Sequence, residues 1–324
     1  MMKKMTTLLL LCGIGCSLTS FALIHPPTHP RQKSAIRTII IDPGHGGFDH
    51  GTHGLFSKEK DVTLAISLKL GKVIQETYPD IKLVYTRTTD IMPGNMPTVK
   101  TGLHYRADVA NKSKGDLFIA IHANATTYAA GTYAVKKVIG YKKAKGKRRK
   151  KVPIYETYYL KNTKVGTETF VWKAMWGEYK GNVINQNDAD VENMGDSTAS
   201  GIDQSSPEAR IRAQLYEKKY FANSALFATL MQNQFIKSGR VSEGVQQRDV
   251  GLWVLEATGM PSVLIETGYL TNKEEEEYLN SDKGQDEVVQ NIMDALRQYI
   301  NTLEGHPDTG GTRLRTGAMA RAAR

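Results

Sequence analysis

The stretch Thr38–Gly54 reads TIIIDPGHGGFDHGTHG and joins a short apolar run to a glycine-rich turn. The isoleucines of the run, Ile39 to Ile41, are β-branched and continuous, which is typical of a buried strand. The turn begins at Asp42-Pro43 and holds His45 between glycines. A histidine on so constrained a loop either donates a hydrogen bond within the turn or belongs to a site. We interpret the stretch as a strand that leads into a site whose other members lie elsewhere in the chain.

The rest of the sequence alternates between short apolar runs and longer amphipathic segments. This alternation predicts an α/β fold whose sheet is covered by helices on both faces. The expected strands are Arg37–Asp42, Ile81–Arg87, Asp116–His122, Thr167–Trp172, Val250–Leu255 and Pro261–Thr267, and the expected helices are Glu59–Tyr78, Leu103–Lys112, Pro207–Lys237 and Val288–Leu303.

The first residues, 1–22, have the pattern of an export signal. Two lysines precede the mostly apolar run Thr7–Leu18, and small residues at Ser20 and Ala22 suit cleavage after Ala22. The run is too short for a comfortable transmembrane helix, so we expect no transmembrane segment in the mature chain. Both cysteines lie inside the signal and match a lipid-attachment box poorly. We therefore expect an exported protein of the periplasm, with secretion or a lipid anchor as the less favoured alternatives.

The basic character of the chain is local. The formal net charge is +10, and the run Lys142–Lys151 supplies eight positive charges while Lys3 and Lys4 supply two. Because these ten equal the whole excess, the remaining chain is balanced, and we expect no nucleic-acid partner. The basic run either binds anionic envelope polymers or phospholipid headgroups, or it is a solvated loop.

Side chains that can bind a metal or move a proton stand at three expected strand ends. His45 follows the first strand, His122 ends the third, and Glu266 ends the last. Ligands of open α/β sheets bind outside the carboxyl ends of the strands, so these side chains are expected to converge. Glu59 opens the first helix and is a fourth candidate. Two imidazoles and one carboxylate match a catalytic zinc set, and a second carboxylate would act as the general base.

Each of these residues also has a plain structural explanation. His45 can be a hydrogen-bond donor of its turn, His122 a half-buried histidine, and Glu59 an acid that favours the start of a helix. An unpaired Glu266 buried beside apolar neighbours would be costly, which favours a role for it. One shared site explains the four residues more economically than four separate accidents. A mature chain without cysteine must build any metal site from histidine and carboxylate.

Seven segments in order resemble the zinc-dependent N-acetylmuramoyl-L-alanine amidase family of bacterial cell-wall hydrolases (amidase type 3). They lie between Thr38 and Leu303 and read IIIDPGHGG, EKDVTLAISLKL, VYTRTTD, RADVAN, DLFIAIHANA, GTETFVW and PSVLIETGYLTN. The resemblance implies a single catalytic domain of the α/β class, with a mixed, mostly parallel sheet flanked by helices on both faces. It also implies hydrolysis of the amide that joins N-acetylmuramic acid to the first L-alanine of the stem peptide, as in peptidoglycan turnover and cell separation.

The resemblance also implies roles for individual residues. His45, Glu59 and His122 correspond to the ligands of one zinc ion per chain, and Glu266 corresponds to the catalytic glutamate. Asn124 and Arg106 are candidates for substrate contact, although a turn-forming asparagine and a structural salt bridge are the alternatives.

Some positions depart from the family pattern. Ala120 stands where a serine is usual, and His50 stands where a proline is common. His53 is an additional histidine in the same loop. A second metal beside His45 is one interpretation, and exposed loop histidines are the plainer one.

The expected domain limits follow from these assignments. Residues 23–36 are expected to be a flexible lead-in, 37–303 the catalytic domain, and 304–324 a disordered tail. Insertions are expected at about 128–166 and 173–206. A carboxylate of the second insertion, Asp190 or Glu192, is a candidate to lie across the zinc and inhibit the enzyme until an activator protein displaces it.

Two other functions stay open from the sequence. One is a zinc peptidase or other amidohydrolase with a different envelope substrate, and the other is a peptidoglycan-binding module without turnover. The expected partners are peptidoglycan and an activator protein, and the expected oligomeric state is a monomer.

Overall fold

The computed structural model describes residues 34–143, 150–172, 207–247 and 252–306. The predicted signal peptide, the second insertion with Asp190 and Glu192, and the tail from residue 307 lie outside the described residues. The strands are β1 (Thr38–Pro43), β2 (Lys82–Tyr85), β3 (Leu117–Asn124), β4 (Thr132–Lys143), β5 (Lys151–Lys161), β6 (Thr167–Phe170), β7 (Ser242–Gln246) and β8 (Ser262–Tyr269). The helices are α1 (Glu59–Thr77), α2 (Val99–Lys112), α3 (Pro207–Lys237), α4 (Trp253–Ala257), α5 (Lys273–Asn280) and α6 (Asp282–Leu303), with a 3-10 turn at Pro93–Asn95.

Six strands form one mixed sheet in the order β2-β1-β3-β8-β6-β7. The pairs β1–β2, β1–β3, β3–β8 and β6–β7 are parallel, whereas β6 runs antiparallel to β8. The expected mixed, mostly parallel sheet is therefore confirmed. Strands β4 and β5 form a separate antiparallel pair.

Helices cover both faces of the sheet, as the apolar strands predict. Along β1, Ile39 and Ile41 pack into a core formed with α1, α3 and α6, while Ile40 packs on the opposite face with residues of α2 and α4. All three isoleucines are fully buried. A strand covered on both faces has to be apolar on both, which explains the continuous run in the sequence.

The structure corrects several expectations outside the central strands. The predicted strand Val250–Leu255 is wrong, because Trp253–Ala257 is a helix. The short strand β7 and the glutamate-rich helix α5 were not predicted, and α6 begins at Asp282 rather than Val288. Ile36, one residue before the expected start of the domain, is 2% exposed and packs in the core.

The first insertion is largely a pair of long strands rather than a loop. Strands β4 and β5 pair from Thr132 with Lys161 to Lys143 with Lys151, with one irregularity between Val138 and Gly140. Residues 144–149, the central part of the basic run, lie outside the described residues.

None of the described helices is long and apolar enough to span a membrane.

Candidate metal centre

The loop after β1 carries His45 in a backbone conformation that glycine normally adopts. The φ angle of His45 is 59°, and Gly46 and Gly51 follow with φ of 130° and 64°. A Cβ on Gly51 would lie 2.5 Å from the ring of His45 and 2.6 Å from a carboxylate oxygen of Glu59. Glycine is therefore required at residue 51 both for its backbone conformation and for the close approach of the two functional side chains.

The structure brings His45, Glu59 and His122 together, as the sequence predicts. Oε1 of Glu59 lies 2.9 Å from Nδ1 of His122, and Oε2 lies 3.1 Å from Nε2 of His45. One ligand atom from each of the three residues lies within 4.8 Å of the others. Within the described ranges, this is the one group of three or more metal-capable side chains at such distances.

Hydrogen bonds from neighbouring groups orient the triad. Asp49 Oδ2 lies 2.9 Å from Nδ1 of His45, so the other ring nitrogen of that histidine faces Glu59. The backbone N–H groups of Thr52 and Ala123 donate to Oε2 and Oε1 of Glu59 at 2.8 and 3.1 Å. Such second contacts hold metal ligands in position in characterised metal sites.

The triad is electrostatically matched to a cation. Glu59 is 4% exposed, and although this burial opposes ionisation, its hydrogen bonds with His122 and His45 hold its pKa well below the usual range. Burial likewise favours the neutral imidazole of His45, but Asp49 and Glu59 outweigh it and raise the pKa of His45 to about 9. An ionised carboxylate between two imidazoles is the donor set of a catalytic zinc site, so the residues fit this metal.

Glu266 lies in the carboxyl half of β8, on the strand next to that of His122. It is the register partner of His122 on the neighbouring strand, so both side chains project from the same face of the sheet. Glu266 is 6% exposed. The predicted proximity to His122 is observed, whereas the predicted strand end is not, because β8 continues to Tyr269.

A further carboxylate near this edge was missed from the sequence. Glu168 on β6 is the register partner of Glu266, and it accepts hydrogen bonds from Tyr269 Oη at 3.0 Å and Asn124 Nδ2 at 3.1 Å. Burial and then Glu168 raise the pKa of Tyr269. The sequence signal that could have indicated Glu168 is its position inside the predicted strand GTETFVW, directly before the buried Thr169. Asn124, a predicted substrate contact, is thus directed at Glu168.

Arg106 and Arg87 hold the backbone of the His45 loop. Arg106 forms a buried ion pair with Asp42 and donates to the carbonyl of His45 at 2.6 Å, while Arg87 donates to the carbonyl of Gly44 at 2.7 Å. Burial and then Arg106 lower the pKa of Arg87 to about 10. These contacts of Arg106 are those of a structural salt bridge, the alternative to substrate contact that the sequence analysis offered. Contact of Arg106 with substrate stays a prediction.

A cavity of about 150 Å³ opens beside the triad. Its polar wall includes Asp42, His45 and His122, and its apolar wall comes from α2, the 3-10 turn region, α4 and neighbouring strands. A mostly apolar cavity with a few convergent polar groups is the usual form of a small-ligand site.

His50 and His53 are not members of the triad, and they form a pair with ring centres 5.4 Å from each other.

A buried carboxylate fixes the loop that leads into α1. Glu276 on α5 is fully buried and accepts hydrogen bonds from the backbone of Leu55, Phe56 and Ser57 and from the Ser57 hydroxyl, at 2.7 to 2.9 Å. Because this loop ends just before Glu59, Glu276 determines where that ligand enters the site.

Comparison with known proteins identifies related chains. The sequence model of a family described as N-acetylmuramoyl-L-alanine amidase matches residues 39–298. The N-acetylmuramoyl-L-alanine amidase AmiC of Escherichia coli is 28% identical over 265 residues, which are 81% of this chain and 52% of AmiC. The chain thus spans about half the length of that relative.

Two solved structures share the fold. The catalytic domain of CwlV, an N-acetylmuramoyl-L-alanine amidase from Paenibacillus polymyxa, is 22% identical with a TM-score of 0.51, and the match covers 82% of this chain and 99% of CwlV. The CwlD amidase from Clostridioides difficile, solved in complex with the GerS lipoprotein, is 19% identical with the same TM-score and covers 82% and 99%.

Proposed function

Because this chain belongs to the N-acetylmuramoyl-L-alanine amidase family, we propose that it is a peptidoglycan hydrolase of the bacterial cell wall. Its target is the amide bond between the lactyl group of N-acetylmuramic acid and the first L-alanine of the stem peptide. The observation that carries this proposal is the convergence of His45, Glu59 and His122 beside β8, the strand that holds Glu266 as the register partner of His122.

His45, Glu59 and His122 are the residues that would hold one zinc ion. When bound, zinc polarises the scissile carbonyl and makes a water molecule acidic enough to attack it near neutral pH. Asp49 keeps the Nε2 atom of His45 directed into the site through its hydrogen bond to Nδ1. The two backbone N–H groups that donate to Glu59 hold its carboxylate in place.

Glu266 is the proposed general base. Its carboxylate accepts a proton from the attacking water and delivers it to the nitrogen of the leaving L-alanine. The short spacing of neighbouring strands, about 4.8 Å, places it beside His122 without making it one of the three converging ligands. In this proposal His45, Glu59 and His122 bind the metal, whereas Glu266 transfers the proton.

The test compares wild type with Glu266→Ala in zinc content and in digestion of purified sacculi. The variant is expected to retain zinc and to lose activity by at least about 100-fold, the usual contribution of a general base. Glu277→Ala, which removes an exposed carboxylate from α5, is the control and should behave as wild type. Loss of zinc in Glu266→Ala would instead make Glu266 a ligand.

Product analysis separates the alternatives. Release of intact stem peptides is expected for an amidase, whereas cleavage inside the stem peptide would identify a peptidase. A protein that binds sacculi and holds zinc but releases nothing would be a binding module, and the proposed hydrolysis would be wrong.

We also propose export to the periplasm, on the basis of the pattern in residues 1–22, and control by an activator protein. The complex of the CwlD amidase with a lipoprotein supports the second point by analogy. Deleting residues 181–201, which hold Asp190 and Glu192, should raise basal activity if this segment inhibits the site. Unchanged activity in a folded deletion variant would reject autoinhibition.

A further inference from the structure

The paired strands β4 and β5, hereafter the ribbon, form a two-stranded sheet that is separate from the main sheet. Each strand pairs with the other along its full length, from Thr132 with Lys161 to Lys143 with Lys151. A strand of twelve residues spans about 40 Å at the usual rise per residue. The ribbon is therefore much longer than the group formed by His45, Glu59 and His122, whose ligand atoms lie within 4.8 Å of one another.

Both faces of the ribbon expose tyrosine and apolar side chains. By register, Tyr141, Tyr155 and Tyr159 share one face, and they are 64%, 54% and 73% exposed. The opposite face exposes Tyr158 and Leu160. Exposed aromatic and apolar side chains clustered on one element are typical of interaction sites.

The ribbon is positively charged along its length. Its two strands carry a single acidic residue, Glu156, whose carboxylate accepts a hydrogen bond from the hydroxyl of Tyr158. The basic residues of these strands are Lys136, Lys137, Lys142, Lys143, Lys151 and Lys161. Such a surface attracts an anionic partner.

The base of the ribbon is fixed to the edge that carries the candidate site. Asn162 is 6% exposed and donates from Nδ2 to Thr126 Oγ1 at 2.6 Å, and its carbonyl accepts from Asn272 at 3.2 Å. Tyr128, a few residues after β3, stacks on Tyr133 with ring centres 4.1 Å apart. The aromatic surface therefore begins next to the end of β3 and continues outward.

We propose that the ribbon is a binding arm for the anionic glycan–peptide polymer of the cell wall, which it guides to the metal centre; this rests on the proposed amidase function. Tyrosine rings stack on the C–H faces of sugars, and lysines pair with the free carboxylates of stem peptides. A bilayer would contact one face or the tip. The distribution of tyrosines and lysines over both faces and the whole length instead fits an extended polymer.

The charged contacts are tested by co-sedimentation with purified sacculi, in a Glu266→Ala background so that the polymer is not digested. The variant Lys136→Gln/Lys143→Gln/Lys151→Gln, whose three lysines share the Tyr155 face, should bind about tenfold more weakly. The difference should shrink as salt is raised. The control Lys72→Gln/Lys82→Gln/Lys112→Gln changes the net charge equally at exposed lysines elsewhere and should bind like its parent.

The aromatic contacts are tested by Tyr155→Ser/Tyr159→Ser, which should also weaken sacculus binding about tenfold. A shortened variant replaces Ala134–Tyr159 with an Asn-Gly turn, which suits a two-residue hairpin connection. It keeps the two strand pairs nearest the base, Thr132 with Lys161 and Tyr133 with Leu160, and the base contacts of Asn162. The catalytic domain should therefore retain its fold and melting temperature.

A kinetic comparison completes the test. In the active background, the shortened variant should cleave a small soluble muropeptide with wild-type kcat/KM and should digest sacculi at least tenfold more slowly. Equal losses on both substrates, or full sacculus binding by the shortened variant, would overturn the proposal. Ribbon-dependent binding to phosphatidylglycerol vesicles with unchanged sacculus binding would assign the ribbon to lipid and overturn it as well. If the chain is not an amidase, wild type cleaves neither substrate, while sedimentation still tests the ribbon.

Discussion

Replacing Glu276 with glutamine tests how the fold positions the candidate metal ligand Glu59 from a distance. The buried carboxylate accepts hydrogen bonds from the backbone N–H groups of Leu55 at 2.7 Å, Phe56 at 2.9 Å and Ser57 at 2.8 Å, and from the Ser57 hydroxyl at 2.8 Å. Oε1 takes three of these bonds, and Oε2 takes the one from Leu55. The loop then enters α1 at Glu59.

The expected loss of unfolding free energy depends on which of these hydrogen bonds the glutamine amide can keep. The glutamine oxygen retains the three donors of Phe56 and Ser57, whereas its NH2 group faces the N–H of Leu55 and leaves that donor unsatisfied. Losing one charge-assisted hydrogen bond and stranding a donor costs about 3 kcal/mol of unfolding free energy. For a domain of this size the melting temperature should fall by roughly 6–12 °C.

The same change should loosen the approach to Glu59 and weaken zinc binding about tenfold, as changes around metal ligands do. Thermal unfolding of the metal-free protein measures the first effect, and zinc titration against a competing chelator measures the second. Glu277→Gln removes an exposed charge from the same helix and should alter stability by less than about 0.5 kcal/mol. A Glu276→Gln protein that melts within about 2 °C of wild type and binds zinc normally would refute the reasoning.

Three further substitutions probe the site. His122→Ala should abolish stoichiometric zinc binding and hydrolysis while leaving the sheet folded, as judged by metal analysis and circular dichroism. Gly51→Ala should cost about 1–2 kcal/mol for its positive φ alone, and its new methyl group should displace the His45 ring, so activity should fall more than stability. Arg106→Met should destabilise the protein by about 3–5 kcal/mol in urea unfolding, because it leaves Asp42 buried without its charge partner; a loss below about 1 kcal/mol would contradict that account.

The central strands were predictable because burial on both faces requires continuous apolar sequence. Ile39 to Ile41 and the run Val263 to Ile265 show this pattern, and both are buried strands. The ribbon gave no such signal, since strands exposed on both faces carry lysine and tyrosine without apolar alternation. The segment Trp253–Ala257 was wrongly predicted as part of a strand, because a short buried helix is as apolar as a strand.

The site was predictable as far as it depends on strand ends. His122 and Glu266 lie in the carboxyl halves of neighbouring parallel strands, whose register brings them together. Glu168 was missed because its strand is antiparallel to β8, and sequence order does not reveal which strands become neighbours. The role of Glu276 depends on a contact between segments about 220 residues apart, for which a single sequence contains no signal.

The conformation of the His45 loop depends on two arginines that are far from it in sequence. With φ of 59°, His45 occupies a region that costs a non-glycine residue about 1–2 kcal/mol. Arg106 and Arg87 donate to the carbonyls of His45 and Gly44 and so hold the loop in this conformation. Burial and then the repulsion from Arg106 lower the pKa of Arg87, and Asp42 offsets that repulsion. Substituting either arginine therefore acts on the metal centre through the backbone, without removing any of its ligands.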